Sequence, residues 1–262
     1  MSEFCRLAAP SWVFPGTILE NCRFLEGKVD EAALLFFDAE SSLAYTRQDL
    51  PSELASLALS YHVHLPSALP WGRGGEAVAA LCLALMDKVA HLGATRCVLH
   101  PPTAQGLPAS EMLLEAFAGK WEAAGRSLAD ICVENTHEND LVALIEQGFF
   151  AESGFGICFD LGHMLAYGQH KLVKLVRHAR GKSVFGGSTV RMVHYNAPGG
   201  SSHLPLTALD AAGLDLGEAL CEVLAPEGII VAEFFSWDYV AASMPIIRRW
   251  MAKRACGAAC GG

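Results

Sequence analysis

Asp160 and His163 stand at the end of the apolar stretch GICFDLGHML, residues 156–165, where ionisable side chains are costly unless they are used. The same pattern recurs at five other apolar runs of this chain. The residues that end the six runs are, in chain order, His62 and His64, His100, Glu134, Asp160 and His163, His194, and Glu233. Because imidazole and carboxylate ligands together suit zinc, manganese or iron, this set predicts a divalent-metal site.

The number of potential ligands indicates more than one ion. A single ion would need only about four of these side chains. A carboxylate such as Glu134 can bridge two ions, and paired ions can clamp the attacking and leaving oxygens of a phosphoryl displacement. We therefore expect two divalent ions, or three if further ligands join them. In that interpretation Glu134 bridges, while Glu233 or Asp160 also orients the nucleophile, so these three are the predicted catalytic residues.

The elements that must position these residues alternate along the chain. Eight short apolar runs rich in β-formers lie at 12–14, 33–37, 60–65, 96–100, 130–135, 156–161, 190–196 and 228–235. Between most of them lie segments with helical spacing of apolar residues, such as 141–154 and two segments that close on Gly93 and Gly125. This alternation predicts an α/β protein with a single (β/α)₈ TIM barrel, in which strand ends meet at the face that carries active sites. A doubly wound sheet is the alternative, but no Gly-rich nucleotide fingerprint follows any run.

Composition bounds the organisation and the partners. At 262 residues and 52% hydrophobic content, the chain is expected to form one catalytic domain over 1–254, with a disordered tail over 255–262. A net charge of −9 without a block of Lys or Arg argues against a nucleic-acid partner. Nine cysteines, several within apolar runs, predict reduced thiols in a cytoplasmic protein. Neither secretion nor a membrane segment is indicated, and the oligomeric state stays open.

Several residues have a structural and a functional interpretation. His62 is expected to pack or face outward, with His64 as the ligand of that run. Asp160 could simply cap the next helix, although the full set favours ligation. The loop LPSALPWGRGGEAV precedes a helix N-terminus and contains Arg73, which could hold a phosphate or carboxylate. The predicted substrate-binding residues are Arg73, Trp71, Asn196 and Trp237.

Seven short motifs carry a family resemblance. HVHLP, VLHPP, CVENT, CFDLGH, MVHYN, SHLPL and VAEFF occur in this order over roughly residues 60–235. Together they resemble the xylose-isomerase-like barrel superfamily, which includes endonuclease IV and sugar isomerases and epimerases. By position, the resemblance to endonuclease IV implies one metal on His64, His100 and Glu134, a second on Glu134, Asp160, His194 and Glu233, and a third that includes His163 and His203.

Two departures from the family patterns bear on function. Ser201 stands where endonuclease IV has an Asp of the third metal site. Ala197 and Gly200 stand where the common epimerase pattern has Asp and Arg, although the single-metal set Glu134, Asp160, His194 and Glu233 is complete.

The predicted function is therefore a divalent-metal-dependent hydrolase of a small-molecule phosphodiester or phosphomonoester. One branch of the superfamily resembles a hydrolase that opens the nucleotide loop of cobamides. The size, the acidic net charge and the aromatic residues of this chain are compatible with such a substrate. The alternatives are a single-metal sugar or inositol isomerase or epimerase, an abasic-site endonuclease, and a non-catalytic metal-binding barrel. The expected partner is a small phosphate- or sugar-containing molecule.

Overall fold

Eight parallel strands close into a barrel. The computed structural model describes residues 5–103, 107–180, 189–199 and 203–259. Each strand pairs with the next one along the chain, and the last pairs with the first. The strands are β1 (Arg6–Pro10), β2 (Glu31–Leu35), β3 (Ser60–His64), β4 (Cys97–Leu99), β5 (Ile131–Glu134), β6 (Gly156–Asp160), β7 (Val190–Tyr195) and β8 (Ile229–Ala232). The predicted (β/α)₈ barrel is confirmed.

Helices connect the strands around the outside of the barrel. The α-helices are α1 (Ile18–Leu25), α2 (Ala39–Ala44), α3 (Gly75–Lys88), α4 (Leu107–Ala123), α5 (Val142–Glu146), α6 (Phe149–Ser153), α7 (Leu161–Ala166), α8 (His170–His178), α9 (Ala211–Val223) and α10 (Trp237–Ala259). Short 3₁₀ helices lie at Ser52–Ser56, Trp71–Arg73, Ala90–Leu92, Leu128–Asp130 and Leu206–Ala208. None of the helices within the described ranges is long and apolar enough to cross a membrane.

Local sequence signals set where several helices begin and end. Thr17 and Glu20 form a reciprocal capping box at the start of α1. Asp38 and Asp210 accept backbone N–H groups at the starts of α2 and α9. Gly148 has a φ of 80°, so it breaks the segment 141–154, predicted as one helical stretch, into α5 and α6.

Small and medium apolar side chains fill the barrel interior. The interior cluster consists of Ala8, Ala33, Val98, Cys132, Cys158, Met192, Ile229 and Val231. A larger apolar core lies between the strands and the surrounding helices. Because side chains alternate along a strand, residues two positions beyond this interior cluster lie at the carboxyl end of the barrel. The residues in that position are His100, Glu134, Asp160, His194 and Glu233.

The two ends of the chain differ from the sequence-based expectation. The first strand is Arg6–Pro10, not the run at 12–14. Ala8 and Ala9 are fully buried there, Ala8 in the interior cluster and Ala9 in the larger core. Trp12 and Phe14 come after that strand. At the other end, α10 continues to Ala259 through part of the segment predicted as a disordered tail, and residues 260–262 lie outside the described ranges.

Candidate metal centre

The predicted ligands converge at the carboxyl end of the barrel. Four of them are buried, namely Glu134, Asp160, His194 and Glu233. Four histidines around these residues are partly exposed, namely His64, His100, His163 and His203. The structure therefore brings together all eight side chains that the sequence and the resemblance assigned to metal binding.

Glu134 lies at the centre of this cluster. Its Oε2 atom is 3.0 Å from His100 Nε2 and 3.3 Å from His64 Nε2. Its Oε1 atom is 3.2 Å from His194 Nδ1, which is also 3.3 Å from Glu233 Oε1. One carboxylate thus faces two different groups of nitrogen donors, as a bridging ligand must.

Three histidines are oriented by backbone carbonyls. The Nδ1 atom of His64 is 2.9 Å from the carbonyl of Leu65, that of His163 is 2.8 Å from the carbonyl of Asn135, and that of His203 is 2.8 Å from the carbonyl of Glu233. A carbonyl only accepts, so each Nδ1 donates its proton. In the neutral ring, Nε2 then keeps its lone pair for a metal ion, which is the usual arrangement of metal-binding histidines.

Asp160 is both a helix cap and a member of the cluster. Its Oδ1 accepts the backbone N–H of His163 at 2.5 Å, so the capping interpretation is correct for one oxygen. Its Oδ2 accepts a 2.8 Å hydrogen bond from Nδ2 of Asn196, which also lies 3.4 Å from Oε2 of Glu233. Asn196 therefore links two carboxylates of the cluster.

The pKa values of several side chains in the cluster are strongly shifted. Burial raises the pKa of Asp160 to about 6. Burial also opposes ionisation of Glu134, but the imidazoles of His194 and His100 outweigh it and hold the pKa of Glu134 well below its usual range. Despite burial, the carboxylates Asp160 and Glu134 raise the pKa of His163 to about 9. The carboxylates therefore attract positive charge, which a divalent ion can supply in place of these protons.

The donor set fits divalent ions in two overlapping groups. The ligand atoms of His64, His100 and Glu134 lie within 4.8 Å of one another, and so do those of Glu134, Asp160, His194 and Glu233. The Oε2 atom of Glu134 is buried and makes no hydrogen bond, although two ring nitrogens face it. A buried carboxylate oxygen without a hydrogen bond is costly, and a cation would remove that cost.

The third metal group is the part of the prediction with the least geometric support. Within the ranges that the structure describes, the close-packed ligand groups include neither His163 nor His203. Ser201 lies outside the described residues. His163 and His203 nevertheless border the same space, since both line the cavity above the cluster.

Two cavities meet at the cluster. The first, of about 310 Å³, is bordered by His64, Glu134 and Glu233 and by the apolar residues Leu35, Phe36, Phe37, Leu65 and Phe235. The second, of about 400 Å³, is bordered by Trp71, Thr103, Thr136, His137 and Tyr167. Both are lined by Ser67, His100 and His163, so the cluster lies between an apolar space and a more polar one.

The predicted substrate-binding residues are separated by the structure. Trp71 lines the second cavity, and its Nε1 donates to the carbonyl of His100 at 3.2 Å. Arg73 is exposed and borders neither of these two cavities. Trp237 packs against Phe24 with ring centroids 5.0 Å apart, also away from both cavities. Asn196 is buried behind the carboxylates.

The sequence did not identify two of the cavity residues, and it left two positions open for His62. Phe37 and Tyr167 line the cavities, although only their aromatic type at a strand or helix end could have indicated it. His62 packs inside the barrel, which is one of the two positions expected for it, and does not face outward. It shares the inner face of β3 with His64, because residues two apart in a strand point the same way. Its Nδ1 donates to Oε1 of Glu31 at 2.6 Å, and the side chain is fully buried.

The comparisons with known proteins show similarity at the level of fold. No known protein family matches the sequence, and no curated protein matches it either. Solved structures do match in fold. Among them are a D-tagatose 3-epimerase-like protein (TM-score 0.67, 17% identity), the IolI protein with a bound zinc atom (0.66, 15%) and endonuclease IV from Thermus thermophilus (0.63, 19%).

These similarities extend over almost the whole of each chain. Each match covers 95% of this chain and 98%, 99% and 99% of the respective structures. Two further similar structures are described as xylose isomerase domain proteins. The chain therefore shares the TIM-barrel fold of these structures, to which its strand-end motifs also point.

Proposed function

We propose that this protein is a divalent-metal-dependent enzyme with a two-ion centre bridged by Glu134, and that it hydrolyses a phosphoester of a small molecule. The observation that carries the proposal is the orientation of Glu134, whose two carboxylate oxygens face separate groups of imidazole nitrogens. His64, His100 and Glu134 would hold one ion. Glu134, Asp160, His194 and Glu233 would hold the other.

The chemistry of the donor set suits hydrolysis. Bound divalent ions lower the pKa of water and offset the charge of phosphate oxygens. Glu233 is buried but borders the first cavity, so its carboxylate can accept a hydrogen bond from the attacking water. His163 and His203 line the same cavity and can hydrogen-bond to a substrate oxygen. Asn196 holds the carboxylates of Asp160 and Glu233 in place from behind.

A single-metal isomerase or epimerase is the second candidate, and the solved structures of similar fold favour it over hydrolysis. The first match is described as D-tagatose 3-epimerase-like, and another as a 3-keto-D-glucoside 4-epimerase. In this chain Glu134 and Glu233 both approach His194 Nδ1, within 3.2 and 3.3 Å. Such a carboxylate pair could move a proton between neighbouring carbons of a sugar.

Removal of His100 separates the two candidates. In a hydrolase with two ions, His100→Ala should release one ion per chain and lower kcat at least about a hundredfold, the scale of a lost electrostatic stabiliser. In a single-metal isomerase, His100 only lines the cavity, so the variant should keep its metal and mainly raise KM. Metal analysis of the purified variant, beside turnover of p-nitrophenyl phosphoesters and of ketohexoses, distinguishes the outcomes.

A further prediction concerns nucleic acid, because endonuclease IV is among the similar structures. The net charge of −9 leaves few cations for phosphate contacts, so we expect no nanomolar binding to abasic duplex DNA at about 150 mM salt. A fluorescence-anisotropy titration measures this, with undamaged duplex as the control. Tight, damage-specific binding would favour the endonuclease alternative. Hydrolysis of the nucleotide loop of a cobamide stays a prediction, which assays of this protein with cobamides would test.

A further inference from the structure

Three large aromatic side chains are exposed in a row beside the cluster. Trp12 follows β1, Phe37 follows β2 and Phe235 follows β8, and these three strands are neighbours in the barrel. Their exposed fractions are 39%, 56% and 41%. The ring centroids of Trp12 and Phe37 are 6.3 Å apart, and so are those of Phe37 and Phe235. We call these three side chains the aromatic row.

The aromatic row is continuous with the metal-ligand cluster. Phe235 stacks on His203 with centroids 5.0 Å apart and ring planes 25° apart, and the Nδ1 atom of His203 is bonded to the backbone of Glu233. Phe37 and Phe235 also line the first cavity together with Glu134 and Glu233. Phe37 and Phe235 therefore form part of the wall of the space in which the reacting group would bind, and Trp12 extends the row beyond that cavity.

The carboxyl end of the barrel has a polar side, at β3 to β8, and an aromatic side, at β1 and β2. Strands β3 to β8 end in the imidazoles and carboxylates of the cluster. Strands β1 and β2 contribute none of its described members and are followed by Trp12 and Phe37 instead. Apart from the cluster itself, the described lining of the first cavity is uncharged and mostly apolar. Phe37 and Phe235 carry no polar side-chain atom that could hydrogen-bond the hydroxyl groups of a free sugar.

We propose that the aromatic row binds a planar, apolar ring of the substrate while the reacting group lies against the cluster. This inference rests on the proposed function only in placing the reaction at the cluster. Exposed aromatic rings lose unfavourable hydration when they pack against another ring, and offset or edgewise stacking adds to that gain. The substrate accordingly carries an aromatic ring beside its reacting group.

Binding of 2-naphthol tests the aromatic row without requiring any reaction. This probe is planar and apolar and contains no phosphate or sugar, so its binding does not depend on which proposed reaction is correct. Equilibrium dialysis with the metal-loaded protein should show saturable binding of 2-naphthol at least tenfold tighter than that of cyclohexanol, which is not planar. The double variant Phe37→Ala/Phe235→Ala should lose at least tenfold in 2-naphthol affinity.

Matched controls keep the result interpretable. Met112→Ala removes another exposed apolar side chain, 67% exposed and outside both cavities, and should leave 2-naphthol binding unchanged. The double variant should also retain the metal content of the parent protein, which shows that the cluster is intact. Unchanged 2-naphthol affinity in the double variant overturns the inference. The inference is also overturned if light scattering shows that the parent protein is a dimer and the double variant a monomer, while 2-naphthol binds both equally well. The aromatic row would then be a dimer interface.

Discussion

At the scale of single residues, Glu134 is the carboxylate that contacts histidines of both proposed ligand groups. Glu134→Gln replaces a carboxylate that faces both donor groups with a neutral amide, which is a poor ligand between two cations. We expect this variant to lose at least one ion per chain and to fall at least about a hundredfold in kcat. Metal analysis and turnover of the same preparation check both effects. Full metal content with normal turnover would remove Glu134 from the centre.

Asn196 provides a second residue-scale prediction, because it acts on the centre through other residues. Asn196→Ala leaves the buried oxygens of Asp160 and Glu233 without their amide donor, so we expect a loss of about 1–3 kcal/mol in the free energy of unfolding, measured in urea. Gly162→Ala should resemble it, because a Cβ there would lie 1.7 Å from Oδ1 of Asn196. If both variants match the parent in stability and metal affinity, Asn196 does not position the carboxylates.

At the scale of elements, the buried carboxylate of Glu31 links β2 to β1 and β3 inside the barrel. Glu31 accepts from His62 and pairs with Arg6, whose Nη1 is 2.6 Å from its Oε2. Burial opposes ionisation of Glu31, but these partners hold its pKa below the ordinary value of 4.5. Its stabilising contribution is therefore present above about pH 4.5 and is lost as the pH falls through the lowered pKa.

This pH dependence can be measured with matched variants. Glu31→Gln should be less stable than the parent near neutral pH, and its free energy of unfolding should fall less steeply between about pH 5 and pH 3. Glu122→Gln, at an exposed carboxylate, is the control and should follow the parent curve. Parallel curves for the parent and Glu31→Gln would show that the contacts of Glu31 contribute nothing to acid stability.

At the scale of the whole molecule, the cysteines report how closely the barrel is packed. All eight described cysteines are free, and only Cys256 among them is exposed. Burial raises the pKa values of Cys22 and Cys82 to about 12, so the reactive thiolate is scarce as well as inaccessible. Brief treatment of the native protein with iodoacetamide should modify Cys256 and spare the other seven described cysteines. Peptide mapping by mass spectrometry that finds Cys82 modified without denaturant would contradict this packing.

Much of the fold and of the centre was predictable from the sequence because both have local signatures. The alternation of short β-rich runs with helical spacing predicted the barrel, and Gly93 and Gly125 marked helix ends where φ is positive. The first strand was not predictable in the same way. Ala8 fills part of the barrel interior and Ala9 packs in the core outside it, and such small side chains carry no β-signal of their own.

The sequence by itself determined that imidazoles and carboxylates would meet, since parallel strands deliver their carboxyl ends to one edge of the barrel. Only the tertiary structure decided which atoms face one another. It directs the two oxygens of Glu134 to different histidines, places Asn196 behind two carboxylates and sets Phe37 beside Phe235. The physical reason is that such contacts depend on register and curvature between strands that are far apart in the chain, whereas sequence patterns report only near neighbours.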